Sequence, residues 1–331
     1  MTYKLLSIRI NKKRLFLIAI QCLFSITVIC QQIAPLDTSI INLADPTIFK
    51  HKNRFYLYGT VEGNAGNGFL VYVSHDLKGW KMSAKNHGYA LKKGDAFGTA
   101  GFWAPQVFSH NNKFYMAYTA NENIAIAESD DPAGPFKQTA KFALQSPVKQ
   151  IDPFVFIDDD GKKYLYHVRL MQGNKIFVAE MTPDFSSIKE ETLRECLTAT
   201  NPWENTTKAG WPVTEGPTVL KRNGVYYLFY SANDFRNPDY AVGYATSKHP
   251  TGPWVKSDNP ILTKFSIGRN GTGHGDFFLN RTDWMYVFHT HYNDSFATPR
   301  KTGLIKVRFV TRSKMADSVM IDTASFKYLF R

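Results

Sequence analysis

The pattern of apolar and polar positions repeats five times along the chain. Each repeat has a short apolar strand, a polar turn rich in Asn, Asp, Gly and Lys, and a strand rich in Tyr and Phe, which is typical of a β-hairpin. The five segments begin at Ala44, Trp103, Ile151, Glu215 and His274. Further strand-like segments follow each hairpin, so the sequence predicts five antiparallel sheets of four strands each.

The repeats have spacings of 59, 48, 64 and 59 residues when they are aligned on Pro46, Pro105, Pro153, Pro217 and Asp276. An open sheet of about twenty strands would twist too strongly, whereas radial stacking leaves only short, protected edges. The pattern therefore predicts an all-β fold, a five-bladed β-propeller with four antiparallel strands per blade. A two-sheet sandwich with chance similarity among its hairpins is the structural alternative.

The first thirty residues differ from the rest of the chain. They contain five basic residues and no acidic one, and an apolar run extends from Leu15 to about Ile29. We interpret residues 1–30 as a secretory signal peptide and residues 31–331 as a single propeller domain. The expected location is periplasmic or extracellular, with no stable membrane span, since a span takes about 20 apolar residues. An uncleaved anchor and a lipid attached at Cys30 are the alternatives.

Composition narrows the classes of protein further. The 331 residues are 44% hydrophobic and 15% aromatic, which is enough for a substantial core and excludes a disordered chain. The formal net charge of +12 falls to +7 without the first thirty residues, and the remaining basic residues are spread out, so we expect no nucleic-acid partner. Cys196 is the only cysteine after Cys30, which excludes an internal disulfide framework. We expect a monomer.

Candidate chemistry lies where the five repeats begin. The first strand of a propeller blade lies innermost, so the residues that open it face a central channel. Asp45, Asp152, Glu215, Trp103 and His274 all occupy this region of their repeats. A single Asp before Pro is a common start of a strand, but three carboxylates facing one channel indicate a shared site. Their mutual repulsion raises the pKa of at least one, as acid–base catalysis at neutral pH requires.

These motifs resemble glycoside hydrolase family 43, five-bladed propeller enzymes that act on arabinose- and xylose-containing polysaccharides. The resemblance extends from about Leu43 to the end of the chain and consists of A-D-P, I-D-P, T-E-G-P and G-H-G-D in that order. It implies an inverting hydrolase in which Asp45 is the general base and Glu215 the general acid. Asp152 would raise the pKa of Glu215 and orient it. The base and the acid would lie about 6.5–9.5 Å apart, with a water molecule between them.

The resemblance also implies two supporting residues. His274 would reach one Ca²⁺ or Na⁺ ion on the channel axis, with a structural or electrostatic role, and no organic cofactor is expected. Arg300 would donate hydrogen bonds to the sugar hydroxyl groups, because its planar guanidinium group presents several fixed donors. His289 and His291 are weaker candidates for the same region. The sequence contains no His/Cys cluster suited to catalytic zinc.

Three aromatic residues are candidates for sugar binding. Phe102 and Trp103 open the second repeat, where an aromatic face can stack on a sugar ring, and core packing between blades is the alternative. Trp211 precedes Glu215 by four residues and would line the subsite of the leaving group. Aromatic side chains combine a large apolar face with a polar edge, which suits contact with sugars.

We therefore expect an exo-acting α-L-arabinofuranosidase that releases arabinose from the side chains or termini of plant polysaccharides. A β-D-xylosidase, a β-D-galactofuranosidase and an endo-arabinanase are alternatives within the enzyme class, because loops around the channel set the substrate. A non-catalytic carbohydrate-binding propeller is the alternative from another class. It would be expected to lack one of the three acids.

Overall fold

The structure is a computed structural model that describes residues 39–312 and 316–331. The predicted signal peptide, including Cys30, lies outside the described residues. In the described part of the chain nearly all regular structure is β-strand. The helical elements there are one short α-helix, α1 (Lys264–Ile267), and the 3-10 helices Lys85–Gly88, Glu190–Thr192 and Pro202–Glu204. No helix in the described residues is both long and apolar enough to cross a membrane.

In the described residues the strands form five small antiparallel sheets, the blades, and one additional pair of strands; in blades 2 to 5 neighbouring strands are consecutive in sequence. Blade 1 consists of β1 (Leu43–His51), β2 (Arg54–Val61), β4 (Tyr72–Ser74) and β5 (Lys81–Met82), and a separate pair is formed by β3 (Gly68–Leu70) and β6 (Tyr89–Lys92). Blade 2 consists of β7 (Trp103–His110), β8 (Lys113–Ala120) and β9 (Asn123–Ser129). Blade 3 consists of β10 (Gln150–Ile157), β11 (Lys163–Leu170), β12 (Asn174–Glu180) and β13 (Arg194–Leu197).

Blades 4 and 5, like blade 3, each contain four strands that pair in their order along the chain. Blade 4 consists of β14 (Thr214–Arg222), β15 (Val225–Ala232), β16 (Ala241–Ser247) and β17 (Val255–Lys256). Blade 5 consists of β18 (Gly273–Asn280), β19 (Asp283–Thr290), β20 (Lys301–Val310) and β21 (Ser318–Tyr328). In blade 2 the outer position is occupied by one bridge, in which the backbones of Glu128 and Lys137 exchange both hydrogen bonds.

The innermost strands contact one another in the closed cyclic order β1, β7, β10, β14, β18. This arrangement confirms the predicted five-bladed β-propeller with four antiparallel strands per blade and excludes the two-sheet sandwich. The ring closes between blade 5 and the start of the described chain. Ile41 donates its N–H to Leu329 O at 2.9 Å, and Thr302 donates its N–H to Ile41 O at 3.0 Å.

The hydrophobic core is divided among the five interfaces between neighbouring blades. One apolar cluster fills each interface, and side chains of both blades contribute to each cluster. The second strands are therefore covered on both faces: every residue of β15, with the sequence VYYLFYSA, is buried. This burial explains why the second strands are rich in aromatic and aliphatic residues on both faces rather than strict alternations of apolar and polar ones.

Candidate active site

Each innermost strand has one residue in the left-handed backbone region near its start. These residues are Asp45, Ala104, Asp152, Gly216 and His274, and their φ values lie between 43° and 58°. The pairing register between the first and second strands shifts at this point in all five blades. The shared conformation and register shift show that the five residues are equivalent. A β-bulge re-aims a side chain and bends its strand, and one such bulge in each innermost strand places these residues around the channel.

The structure corrects the sequence alignment of the fifth repeat by one residue. Asp276 pairs with Val287 just as Thr47 pairs with Tyr58, and it is not equivalent to the aligned prolines. Gly275 takes the position of those prolines, and His274 matches Asp45. Asp276 therefore belongs to the next layer of the channel, where it accepts hydrogen bonds from Thr47 Oγ1 at 2.6 Å and Thr218 Oγ1 at 2.7 Å.

Four of the five left-handed residues are fixed by a hydrogen bond to a side chain on the second strand of the neighbouring blade. The backbone N–H groups donate to a side chain on the second strand of the preceding blade, in the pairs Ala104 to Thr60, Asp152 to Thr119, His274 to Ser231 and Asp45 to His289, at 2.7–3.1 Å. These acceptors occupy the same register position in their blades.

Blade 3 has Val168 at that register position, and a valine side chain cannot accept a hydrogen bond. The N–H of Gly216 donates instead to Asp152 Oδ2, at 3.2 Å. The missing hydroxyl in blade 3 thereby frees a backbone donor that orients one of the three predicted acids.

Asp45 is held ionised. Burial alone would raise its pKa. Arg300 Nη1 donates to Oδ1 at 3.1 Å and Thr60 Oγ1 donates to Oδ2 at 2.6 Å, and these contacts bring the pKa of Asp45 well below its usual range. Burial lowers the pKa of His274 and of His289, so both rings are neutral near pH 7. The cation that keeps Asp45 charged is therefore Arg300.

Glu215 and Asp152 are in the opposite state. Burial raises the pKa of Glu215 to about 7, helped by the charge of Asp45 and opposed by hydrogen bonds from Tyr240 and Asn174. Burial and the charge of Glu215 raise the pKa of Asp152 well above its usual range. Since the two carboxyl groups are coupled, they titrate as a pair and hold a proton near neutral pH. The channel thus combines one ionised carboxylate with a carboxyl pair that retains a proton.

His274 lies between the carboxylates. Its Nδ1 is 3.4 Å from Asp45 Oδ1 and 3.8 Å from Asp152 Oδ2. The imidazole ring also covers Gly216, because a Cβ atom added to that glycine would lie 2.8 Å from two ring carbons. Glycine is required at position 216 for this close approach.

Arg300 forms ion pairs with two carboxylates, Asp45 and Glu62. Besides Asp45, its Nε donates to Glu62 Oε1 at 2.5 Å, and its guanidinium carbon lies 4.4 Å from the centre of the Phe235 ring. The backbone oxygen of Phe235 is in turn 2.7 Å from His291 Nε2. Arg300 is thus held on three sides, with its side chain still lining the cavity.

The aromatic candidates separate into two groups. Trp103 and Trp211 line a cavity of about 400 Å³ together with Asp45, Asp152 and Glu215. Phe102 does not, and the structure corrects that prediction: its side chain is fully buried in the core between blades 1 and 2. The physical reason is packing, since the Phe102 ring stacks with Tyr118 at 6.1 Å and meets Phe69 edge-on at 5.8 Å.

Sequence reasoning missed the residues that hold Glu215. Tyr240 donates its hydroxyl to Glu215 Oε1 at 2.9 Å, and Asn174 donates Nδ2 to Oε2 at 2.9 Å. Both residues lie at the beginning of third strands, Asn174 in β12 and Tyr240 just before β16. In an antiparallel blade the first and third strands run in the same direction, so both begin at the same end of the blade. Polar residues at the start of third strands are therefore the signal that would have found Asn174 and Tyr240. The pocket residues Asp234, Phe235 and Arg236 were also missed.

A second, smaller cavity of about 30 Å³ lies on the channel side of the site, lined among others by Asp45, Asp152, His274 and Asp276. That volume is enough for one water molecule or one small cation. Among the described residues no three His, Cys, Asp or Glu side chains are grouped to hold a metal ion. The Ca²⁺ or Na⁺ ion at His274 stays a prediction.

The family assignment follows from comparison with known proteins. The family model for glycosyl hydrolases family 43 matches residues 39–312, which include every residue of the site described above. The chain belongs to this family. The solved structure of an endo-1,4-beta-xylanase from Bacteroides thetaiotaomicron is 45% identical to this family 43 chain, with a TM-score of 0.79, and covers 86% of this chain and 96% of that one.

Curated relatives of this family 43 chain have several activities in their names. A xylosidase/arabinosidase from Bacteroides ovatus is 26% identical, over 84% of this chain and 94% of that protein. The beta-D-galactofuranosidase xynD from Aspergillus niger is 29% identical, over 59% of this chain. The match to the Aspergillus protein spans 55% of its length.

Proposed function

We propose that this protein is an exo-acting, inverting glycoside hydrolase that releases a terminal pentose, foremost α-L-arabinofuranose, from plant polysaccharides. One observation carries the proposal: a single cavity combines an ionised carboxylate, Asp45 beside Arg300, with a proton-holding carboxyl pair, Glu215 and Asp152. A general base and a general acid need these opposite states at the same pH.

The reaction needs two proton transfers. Glu215 donates its proton to the glycosidic oxygen as the bond from that oxygen to the anomeric carbon breaks. Asp45 accepts a proton from a water molecule, whose oxygen forms the new bond to the anomeric carbon from the opposite face. The released sugar therefore has inverted configuration, and the leaving group carries the proton from Glu215. Exchange with solvent then restores both carboxyl groups.

Asp152 has a positioning role in this mechanism. It accepts the N–H of Gly216, the residue next to Glu215, and repulsion between the two carboxyl groups opposes the ionisation of both at once. Because the two carboxyl groups are coupled, the pair keeps a proton that is available for the glycosidic oxygen. If His274 binds an ion, the ion would add electrostatic stabilisation near Asp45 and Asp152.

The cavity volume supports a short sugar unit as the bound group. About 400 Å³ lies toward the lower end of the range of small-ligand pockets, which is about 300–1,000 Å³. Relatives named xylosidase/arabinosidase support a pentose. A xylan-directed activity is the second candidate, because the 45% identical structure is described as an endo-1,4-beta-xylanase.

We also propose export from the cytoplasm, supported by the basic and apolar start of the sequence.

Hydrolysis by the unmodified protein and its Glu215→Gln variant tests the proposal. The substrates are 4-nitrophenyl α-L-arabinofuranoside, β-D-xyloside and β-D-galactofuranoside, each beside an oligosaccharide of the same sugar. We expect Glu215→Gln to lose about 10²–10⁴-fold on the oligosaccharide, whose poor leaving group needs a proton, and less on the aryl glycoside. Glu195→Gln is the matched control, since Glu195 is exposed and forms an ion pair with Lys175 at 3.6 Å, away from the cavity.

The anomer formed first, followed by NMR, tests inversion. Retained configuration would contradict the assignment of Asp45 as a general base. Equal oligosaccharide rates for the unmodified protein and Glu215→Gln would remove Glu215 from the mechanism. Binding of arabinan or arabinoxylan without hydrolysis of any substrate would establish the carbohydrate-binding propeller instead. Internal cleavage of xylan with longer products would establish the second candidate.

A further inference from the structure

Asn174 connects a partly exposed indole ring to the proposed general acid. Its Oδ1 accepts a hydrogen bond from Trp211 Nε1 at 2.9 Å, and its Nδ2 donates to Glu215 Oε2 at 2.9 Å. An indole N–H can only donate, so Trp211 holds Oδ1 of the amide toward itself and thereby directs Nδ2 toward Glu215. The amide therefore has one orientation that satisfies both neighbours. A flipped amide would place N–H against N–H and oxygen against oxygen.

The backbone holds Asn174 and the Trp211 loop together. Asn174 donates its N–H to Pro212 O at 2.9 Å, and its carbonyl oxygen accepts from Thr214 Oγ1 at 3.0 Å. A Cβ atom added to Gly173 would lie 2.7 Å from Pro212 O, so the two segments are in close contact. The indole of Trp211 is still 49% exposed, which leaves it accessible to a ligand. Trp211 and Asn174 thus belong to one local unit with an open aromatic face.

We propose that Asn174 is a positioning residue that links the leaving-group side of the pocket to Glu215, with Trp211 fixing the orientation of its amide. The inference deepens the proposed function and rests on Glu215 being the general acid. A leaving group that packs on Trp211 keeps the indole N–H on Asn174, and Asn174 keeps Oε2 of Glu215 in place. Discrimination among leaving groups therefore depends on this chain of two hydrogen bonds.

The other groups around Glu215 do not replace Asn174. Tyr240 binds Oε1, so Asn174 supplies the side-chain hydrogen bond to Oε2. The ionisable groups whose charges act on or respond to Glu215 are Asp45, Asp152, Asp234, Arg236 and Tyr240. None of them is hydrogen-bonded to the Asn174 amide in the described residues, so removal of that amide breaks its bonds to Glu215 and Trp211 and leaves the other contacts of Glu215 in place.

The first test is Asn174→Ala in the full chain. Without the Nδ2 donor, the ionised form of Glu215 is less favoured, and the alkaline limb of kcat/KM should move up by about one pH unit. Oε2 also becomes free to rotate. We expect kcat on an oligosaccharide to fall roughly tenfold, a part of the about 10²–10⁴-fold that a general acid supplies. The rate on the 4-nitrophenyl glycoside should stay within about twofold, because nitrophenolate leaves without a proton.

The second test is Trp211→Phe, which keeps an aromatic face and removes the indole N–H. The amide of Asn174 can then rotate, so we expect a shift of the alkaline limb in the same direction and smaller than for Asn174→Ala. KM for the oligosaccharide should change little. If Trp211 serves only for stacking, Trp211→Phe will keep the unmodified pH profile, and the inference is wrong.

Asn123→Ala is the matched control. Asn123 opens the third strand of blade 2 as Asn174 opens that of blade 3, and its Nδ2 donates to the backbone oxygen of Asn121 at 2.8 Å rather than to a carboxyl group. It should leave both leaving-group classes and the pH profile unchanged. If Asn174→Ala behaves like Asn123→Ala while Glu215→Gln still abolishes oligosaccharide hydrolysis, the inference fails alone. If Glu215→Gln is active on the oligosaccharide, the proposed function fails first.

Discussion

At the residue scale, identical chemical groups acquire opposite states from their surroundings. Asp45 and Asp152 have the same side chain, the same backbone conformation and equivalent places in their blades. Arg300 lies beside Asp45, whereas Asp152 faces Glu215 and receives one backbone N–H. The neighbours, more than burial, decide which carboxyl group is ionised, because both are buried.

A substitution at Asp152 tests this coupling. In Asp152→Asn a permanently neutral amide replaces the coupled carboxyl group, so loss of the proton from Glu215 no longer leaves two adjacent carboxylates, and the pKa of Glu215, now about 7, should fall. Glu215 would then lose its proton at lower pH, and the alkaline limb of kcat/KM on an oligosaccharide should move down by about one unit or more. Asp130→Asn changes a carboxylate that is 92% exposed and should leave the profile in place. An unmoved limb in Asp152→Asn would show that Glu215 titrates independently.

At the element scale, each blade is fixed to the next through the left-handed residue at its start. The hydroxyl groups of Thr60, Thr119 and Ser231 and the ring of His289 act as side-chain acceptors for a backbone N–H across the blade boundary. Val168 interrupts this series, and the Gly216 N–H binds Asp152 instead. The backbone N–H of the left-handed residue thus binds a side chain on a second strand in four blades, whereas in blade 4 it binds Asp152, one of the three acids of the site.

Loss of one acceptor measures the strength of this connection. Thr119→Val leaves the buried N–H of Asp152 without its partner, and we expect the free energy of unfolding to fall by about 1–3 kcal/mol. Chemical denaturation at constant m-value measures the change. Thr119→Ser retains the hydroxyl oxygen and should keep most of the stability. Unchanged stability in Thr119→Val together with a loss in Thr119→Ser would attribute the contribution of this residue to its methyl group instead.

At the scale of the whole molecule, stability depends on closure of the ring. Each of the five core clusters lies between two blades, so an open ring would expose two faces. Closure relies on Ile41 and Leu329, which bond through their backbones and bury their side chains in the cluster between blades 5 and 1. This contact joins residues 288 positions apart in sequence, as the numbering shows.

Truncation of one closing side chain tests its contribution. Leu329 is 1% exposed, and Leu329→Ala should lower the free energy of unfolding by about 2–5 kcal/mol through lost burial and a cavity. Thermal or chemical unfolding measures the change. Met320→Ala, in strand β21 and 56% exposed, is the control and should stay within about 0.5 kcal/mol. Similar losses in both variants would mean that closure is not concentrated at Leu329.

Much of the fold and part of the site followed from the local pattern. Hairpins with polar turns and aromatic second strands repeat in sequence, and five such units require radial packing, so the propeller was predictable. The residues that open the blades were predictable for the same reason. Phe102 was not, because the neighbour of a pocket residue can point either way, and the bulge at Ala104 decides which side chain faces the channel.

The sequence by itself determined the number of blades, the family and the three candidate acids, since each can be recognised from short motifs that recur along the chain. Tertiary structure alone decided that Arg300 binds Asp45, that Asn174 and Tyr240 hold Glu215, and that Gly216 N–H reaches Asp152. These partners come from different strands or blades, and they meet only when the strands pair and neighbouring blades pack. Ionisation and orientation depend on distances of about 3 Å, which no spacing along the chain specifies.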